Sequence, residues 1–238
     1  MTTASKVLNP VGELVAQLCH QLISRWQHGY LNDEAKAVAA LARLRRGAGE
    51  TAGQTPDLWD LVDTQLLHGV RRDGVPLSEA ELARAEDALH VCLTLWASHQ
   101  QSRSRGMHEL HKRERPRGLG AAVHRLMPPN EIDDGLRKRF VRVGNAPDLA
   151  ALARHLREIV TLLRRDEVRL DYSLLAGQLY QWQWPGGAER VRLAWSRSFH
   201  AWKDHDRVPS QATAPETAAP DSPDLVPSSP AFPDKDVS

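Results

Sequence analysis

The chain has 238 residues, room for one or two ordinary domains, and its 41% hydrophobic and 26% charged residues are those of a globular protein able to bury a core. The longest stretch without Asp, Glu, Lys or Arg is the 17 residues 172–188, which contain Gln, Gly and Pro, so a bilayer span of ~20 apolar residues is excluded. The formal net charge of +1 conceals a segregation: residues 1–100 hold 9 Lys/Arg against 12 Asp/Glu, residues 101–145 hold 11 against 5, residues 146–203 hold 9 against 6, and residues 204–238 hold 2 against 7.

A basic middle suggests a polyanionic partner, because clustered Lys and Arg bind a phosphate backbone and release its condensed counterions. A solvated surface is the plain alternative. Of the 31 basic residues 25 are Arg, which suits bidentate phosphate contacts, although an Arg-rich genome gives the same bias. Only Lys6 precedes the semi-polar run 14–24, which lacks the apolar region and cleavage site of a secretory signal, so a cytoplasmic location is expected. Two cysteines, Cys19 and Cys92, are too few for a disulfide scaffold and are expected as buried thiols on apolar helix faces.

In chain order the pattern predicts helix after helix. Asn9-Pro10 places a capping side chain before a proline at the first helical position, and Leu14, Leu18, Leu22 and Trp26 follow at intervals of four. Asn32 precedes a run with Val38, Leu41 and Leu44 that stops at Gly47, read as a left-handed cap. A third helix is expected after Thr55-Pro56, with Leu58, Leu61, Val62 and Leu66 on one stripe and Gly69 at its end. Ser78 with Glu81 three residues on forms a capping box ahead of Leu82, Leu89, Leu93 and Trp96. No run alternates polar with apolar residues, so no strand is expected.

Residues 101–118, with six Lys/Arg and little apolar periodicity, predict an exposed connection and a candidate clamp on nucleic acid. After it, Asp148 caps a helix with two faces. At ~100° per residue, with Arg154 as zero, Leu152, Leu156, Ile159 and Leu163 fall near 160°, 200°, 140° and 180°, while Arg157 and Arg165 fall near 300° and 20°. Glu158, one turn beyond Arg154, is placed to neutralise it partly. Asp171 caps a helix with Leu175, Leu179 and Trp182 in its core stripe, and a last helix carries Val191, Trp195, Phe199 and Trp202. Residues 204–238 hold 7 of the 15 prolines and almost no aliphatic residue, the composition of a disordered acidic tail. The expected fold is all-α: an N-terminal bundle over 1–100, the basic connection 101–118, a C-terminal bundle over 119–203 and the tail.

Catalytic chemistry finds little support. His108 and His111 stand three apart in HELH, whereas the metalloprotease arrangement needs histidines four apart with a glutamate beside the first. Asp133-Asp134 reads as the start of a helix, where acids meet the dipole favourably. Gly118-Leu119-Gly120 lacks a preceding strand and the Lys-Ser/Thr of a phosphate loop, and reads as a bend admitting close helix approach. No metal, cofactor or catalytic residue is assigned.

The run 115–182 resembles the CasB family, the small subunit of the type I-E CRISPR surveillance complex Cascade. The resemblance is carried in order by LGAAVHR at 119–125, RKRF ending at Phe140, LARHLR at 152–157 and LDYSLLAGQLYQW at 170–182, with ALARLRRG at 40–47 similar to a basic element of an early helix. It implies a non-catalytic helical subunit that forms a dimer, contacts other Cascade subunits and lines a channel holding guide RNA, target DNA and displaced strand, while base pairing reads the sequence. Carried over by position, Arg45 and Arg46 match the early basic pair, Arg139 the arginine before the phenylalanine, and Arg154 the basic helix face. Lys112, Arg113, Arg115 and Arg117 match only the basic character of the connection, and Arg142 lies where the alignment can slip.

Two readings remain at this stage. In the first, arginines on rigid helices contact phosphates without reading bases. In the second, the chain is a helical adaptor whose basic stripe docks an acidic protein. A hydrolase acting on nucleic acid would need a metal cluster that the sequence does not gather in one place.

Overall fold

Side-chain caps open most of the long helices. Asn9, Ser78, Asp133, Asp148 and Asp171 each accept a backbone N–H three residues on, from Gly12, Glu81, Leu136, Ala151 and Leu174, which satisfies donors that the first turn leaves without partners. The computed structural model describes residues 8–69, 71–72, 75–128 and 133–205. Its helices are α1 (Pro10–Leu31), α2 (Ala35–Leu44), α3 (Gln65–His68), α4 (Glu79–Gln100), α5 (Leu119–His124), α6 (Asp134–Gly144), α7 (Leu149–Arg165), α8 (Tyr172–Trp182) and α9 (Gly187–His205). The fold is all-α, as expected. Residues 206–238 of the expected acidic tail and the side chains of Leu66 and Trp202 lie outside the described residues, while residues 204–205 end the last helix.

Four local readings are corrected. The third helix is broken: Pro56–Leu58 is a single 3₁₀ turn and only Gln65–His68 is α-helical, because Leu58, Leu61, Val62 and Leu67 reach the core from successive turns instead of from one stripe. A two-residue antiparallel ladder pairs β1 (Arg71–Arg72) with β2 (Val75–Pro76), too short to show as alternation. Asn32 ends α1 instead of starting α2, and Val38 points outward at 40% exposure while Ala37, Ala40, Leu41 and Leu44 pack inward. After α2 the left-handed glycine is Gly49, with φ of +94°, not Gly47, which lies against Leu58 and Thr94.

Every residue of α4 from Ala88 to Ala97 is buried. A helix apolar all round belongs at a centre, and α1, α2, α7 and α8 all pack against it. One cluster of buried side chains runs from Val11 through Leu93 to Trp195, across the 101–118 segment. The thiols of Cys19 and Cys92 are free and fully buried within it. Two glycines permit close helix approach. A Cβ on Gly177 of α8 would lie 2.8 Å from the carbonyl oxygen of Gly12 in α1, and one on Gly120 of α5 would overlap the carbonyl oxygen of Trp195 in α9. The bend at Gly118–Gly120 therefore does admit helix contact. Trp182 and Trp195 stack with centroids 5.5 Å apart, and the Trp195 indole donates to Gln178 at 2.7 Å, so these tryptophans pack the core. Among the described residues no helix is long and apolar enough to cross a membrane.

Candidate nucleic-acid interface

The basic segment after α4 is held down over much of its length. Gln100 is buried at the end of α4; its Nε2 donates to the carbonyls of Arg103 and Arg105, and its Oε1 accepts from the N–H of Met107, closing a turn. Met107–Glu109 then pair through backbone hydrogen bonds with Leu170 just ahead of α8. Asp171 does more than cap: its Oδ2 accepts from the N–H of His111 at 2.7 Å, its Oδ1 accepts from the Ser173 hydroxyl, and its own N–H donates to the carbonyl of Arg117 at 2.8 Å. This one residue, through its carboxylate at His111 and its backbone N–H at Arg117, ties both ends of the 111–117 turn to the start of α8, so the expected exposed connection is anchored rather than loose.

The HELH histidines serve the same anchoring. The N–H of Tyr172 donates to His108 Nδ1 at 3.2 Å, so that nitrogen carries no proton and Nε2–H is left to donate to His20 Nδ1 at 2.9 Å. Burial holds His108 neutral, with its pKa pushed down to about 4. His111 Nδ1 accepts from the N–H of Arg117 at 3.1 Å.

The basic residues singled out in the sequence divide into two groups. Arg117 is turned inward, its side chain 17% exposed and its guanidinium 2.8 Å from Glu109. Arg169 lies 3.1 Å from the same carboxylate and Arg115 3.8 Å, so Glu109 gathers three guanidiniums. Burial alone would raise the pKa of Glu109, but hydrogen bonds and charge from Arg169 and Arg117 hold it below the usual carboxylate range. Arg142 pairs with Glu158 across α6 and α7 at 3.2 Å. The carboxylate placed beside Arg154 by helical spacing is thereby engaged by another arginine. Arg45, Arg46, Lys112, Arg113, Arg139 and Arg154 are all exposed, and Arg115 keeps a side chain 69% exposed.

The turn that follows Arg45 and Arg46 reaches α7 beside Arg154. They form a 3₁₀ turn with Gly47 at the end of α2, and the N–H of Ala48 donates to the Arg45 carbonyl while that of Glu50 donates to the Gly47 carbonyl. These two tight turns set Gly49 on α7: a Cβ there would lie 3.6 Å from the Cα of Arg154, 3.6 Å from the Cβ of Arg157 and 3.1 Å from its Cδ. The chain just after Arg46 thus lies against α7 at Arg154 and Arg157, about a hundred positions on. Arg139 sits on α6, which packs against α7. Sequence reasoning placed Arg157 on the basic face of α7 without choosing it as a site residue, and missed Glu109 and Arg169. Only the α7 periodicity carried a signal for the first, and nothing in the spacing pairs 109 with 169.

A family model described as CRISPR-associated protein Cse2 matches residues 40–200. Among solved structures, the crystal structure of CasB from Thermobifida fusca is 50% identical with a TM-score of 0.67, the match covering 81% of this chain and 99% of that one. A chain of a structure titled CRISPR RNA-guided surveillance complex has the same fold at 22% identity, with a TM-score of 0.53 and the same shares covered. A comparison with curated proteins returns no match. With the model spanning about two thirds of the sequence and half the residues identical to CasB over most of its length, the chain belongs to the CRISPR-associated Cse2 family.

Proposed function

We propose that this chain is the non-catalytic small subunit of an RNA-guided CRISPR surveillance complex of the Cascade kind, acting in the cytoplasm beside the other subunits and a second copy of itself. Its basic surface holds guide RNA, target DNA or the displaced strand by phosphate contacts, and so disfavours collapse of the R-loop. The observation that carries this reading is that the turn following Arg45 and Arg46 rests, at Gly49, on α7 beside Arg154, on a chain of this family. All three are exposed, and Glu158, the nearest carboxylate by helical spacing, bonds Arg142 instead. Lys112, Arg113, Arg115 and Arg139 extend the contact, whereas Arg117 and Arg142 hold neighbouring elements together.

The mechanism is electrostatic. Guanidiniums fixed on helices meet phosphates without the ordering cost that a loose loop would carry. Each phosphate neutralised releases counterions, so binding weakens with salt, with a logarithmic slope of about −0.7 per contact on single strands and −0.9 on duplex. Replacing Arg45, Arg46 and Arg154 together by Ala should therefore flatten the salt slope of target retention by about 2 to 3 units, with the subunit still folded. Retention by the assembled complex, measured across a salt titration, checks this. An unchanged slope and affinity would remove phosphate binding by these residues and leave the adaptor reading.

A further inference from the structure

Arg157 lies on the same face of α7 as Arg154, three residues on and ~60° round the helix, and it is exposed. Its aliphatic stem runs beside the Gly49 backbone, where a Cβ would come within 3.1 Å of its Cδ. Gly49 takes a left-handed φ of +94°, a conformation glycine adopts at no steric cost. The turn carrying Arg45 and Arg46 therefore rests its bare backbone on the stem of Arg157, and any other residue at 49 would stand between them. The acids bordering this junction are Glu50, next to Gly49 in the chain, and Glu158, which is bonded to Arg142. Among the described residues Arg157 has no ion pair.

We propose that Arg157 is a fourth phosphate-contacting residue of this surface, and that Gly49 is the positioning residue that sets the arginine pair of the 45–47 turn against the pair on α7. The four guanidiniums then act as one site for a sugar–phosphate strand. Arg157 is held by contact along its stem and spends its donors outward, so it binds phosphate at lower ordering cost than an unsupported arginine. This inference rests on the phosphate-binding reading above, and the experiment separates the two.

Complexes assembled with full-length Arg157→Gln, Arg157→Lys and Gly49→Asn subunits are compared for target retention over a salt titration, with subunit incorporation measured in each. Arg157→Gln keeps the stem on Gly49 and removes the charge. It should flatten the salt slope by about 0.7 to 0.9 and weaken retention several-fold at moderate salt, while Arg157→Lys keeps most of the slope. Asn enters the left-handed region more readily than other side chains, so Gly49→Asn adds the contact with the least added backbone strain. Its loss should be less than additive with that of Arg157→Gln, because it acts through that side chain. If the Arg45, Arg46 and Arg154 variants lose retention but Arg157→Gln keeps the full slope, Arg157 is not a contact and this inference fails while the phosphate reading stands. If all of these variants retain target equally, the phosphate reading itself fails. A fully additive Gly49→Asn effect, or one seen only as lost incorporation, would remove the positioning role.

Discussion

At the level of single residues, the same side-chain types do opposite work according to what the fold sets beside them. Arg117 and Arg154 are equally basic in the sequence, yet one is turned inward against Glu109 and the other stands exposed on α7. The histidines follow the same rule. Burial pushes His90 down to about 4, His99 to about 3 and His108 to about 4, so all three are neutral in the folded chain. In the unfolded chain they titrate near 6.5. Below that pH the unfolded state binds protons that the folded state refuses, so their stabilisation is complete above pH 6.5 and is lost as the pH falls toward 4. The expected outcome is a melting temperature that drops steadily between pH 6.5 and 4.5, each unit of displaced pKa accounting for up to ~1.4 kcal/mol per histidine. A flat profile over that interval would mean these rings are not buried neutral.

At the level of elements, legibility depended on whether the signal was local. The capping residues and the α7 faces were readable because a cap and a stripe are set by neighbours within a turn or two. The third helix was misread because Leu58, Leu61 and Val62 mimic a stripe, while their real constraint is the distant core they fill. Gly120 was read correctly as a point of close approach, but its partner, the Trp195 carbonyl, lies in α9 and only the fold identifies it. Gly120→Ala should force α5 and α9 apart and destabilise the chain by about 1–3 kcal/mol, a fall in melting temperature of about 2–4 °C per kcal/mol at this size. Gly53→Ala is the control: open space surrounds that position, and the melting temperature should scarcely move. Equal effects of the two substitutions would contradict the helix contact.

For the whole molecule, the proposed contacts are to sugar–phosphate backbone, which carries no base information. The fold-loss in target retention caused by replacing Arg45, Arg46 and Arg154 should therefore be the same for matched guide and target pairs of unrelated sequence. A loss that varied with target sequence would point to base readout. Taken alone, the amino-acid sequence determined the all-α class, the caps, the apolar faces and the family resemblance, because these depend on residue type and short-range spacing. The tertiary structure decided which cations face outward together. The turn that follows Arg45 and Arg46 reaches Arg154 and Arg157 only because a left-handed Gly49 lies on α7, and Asp171 pins the 111–117 turn only because the start of α8 packs beside it. Such pairings join residues some sixty to a hundred positions apart, and no periodicity within a helix encodes them.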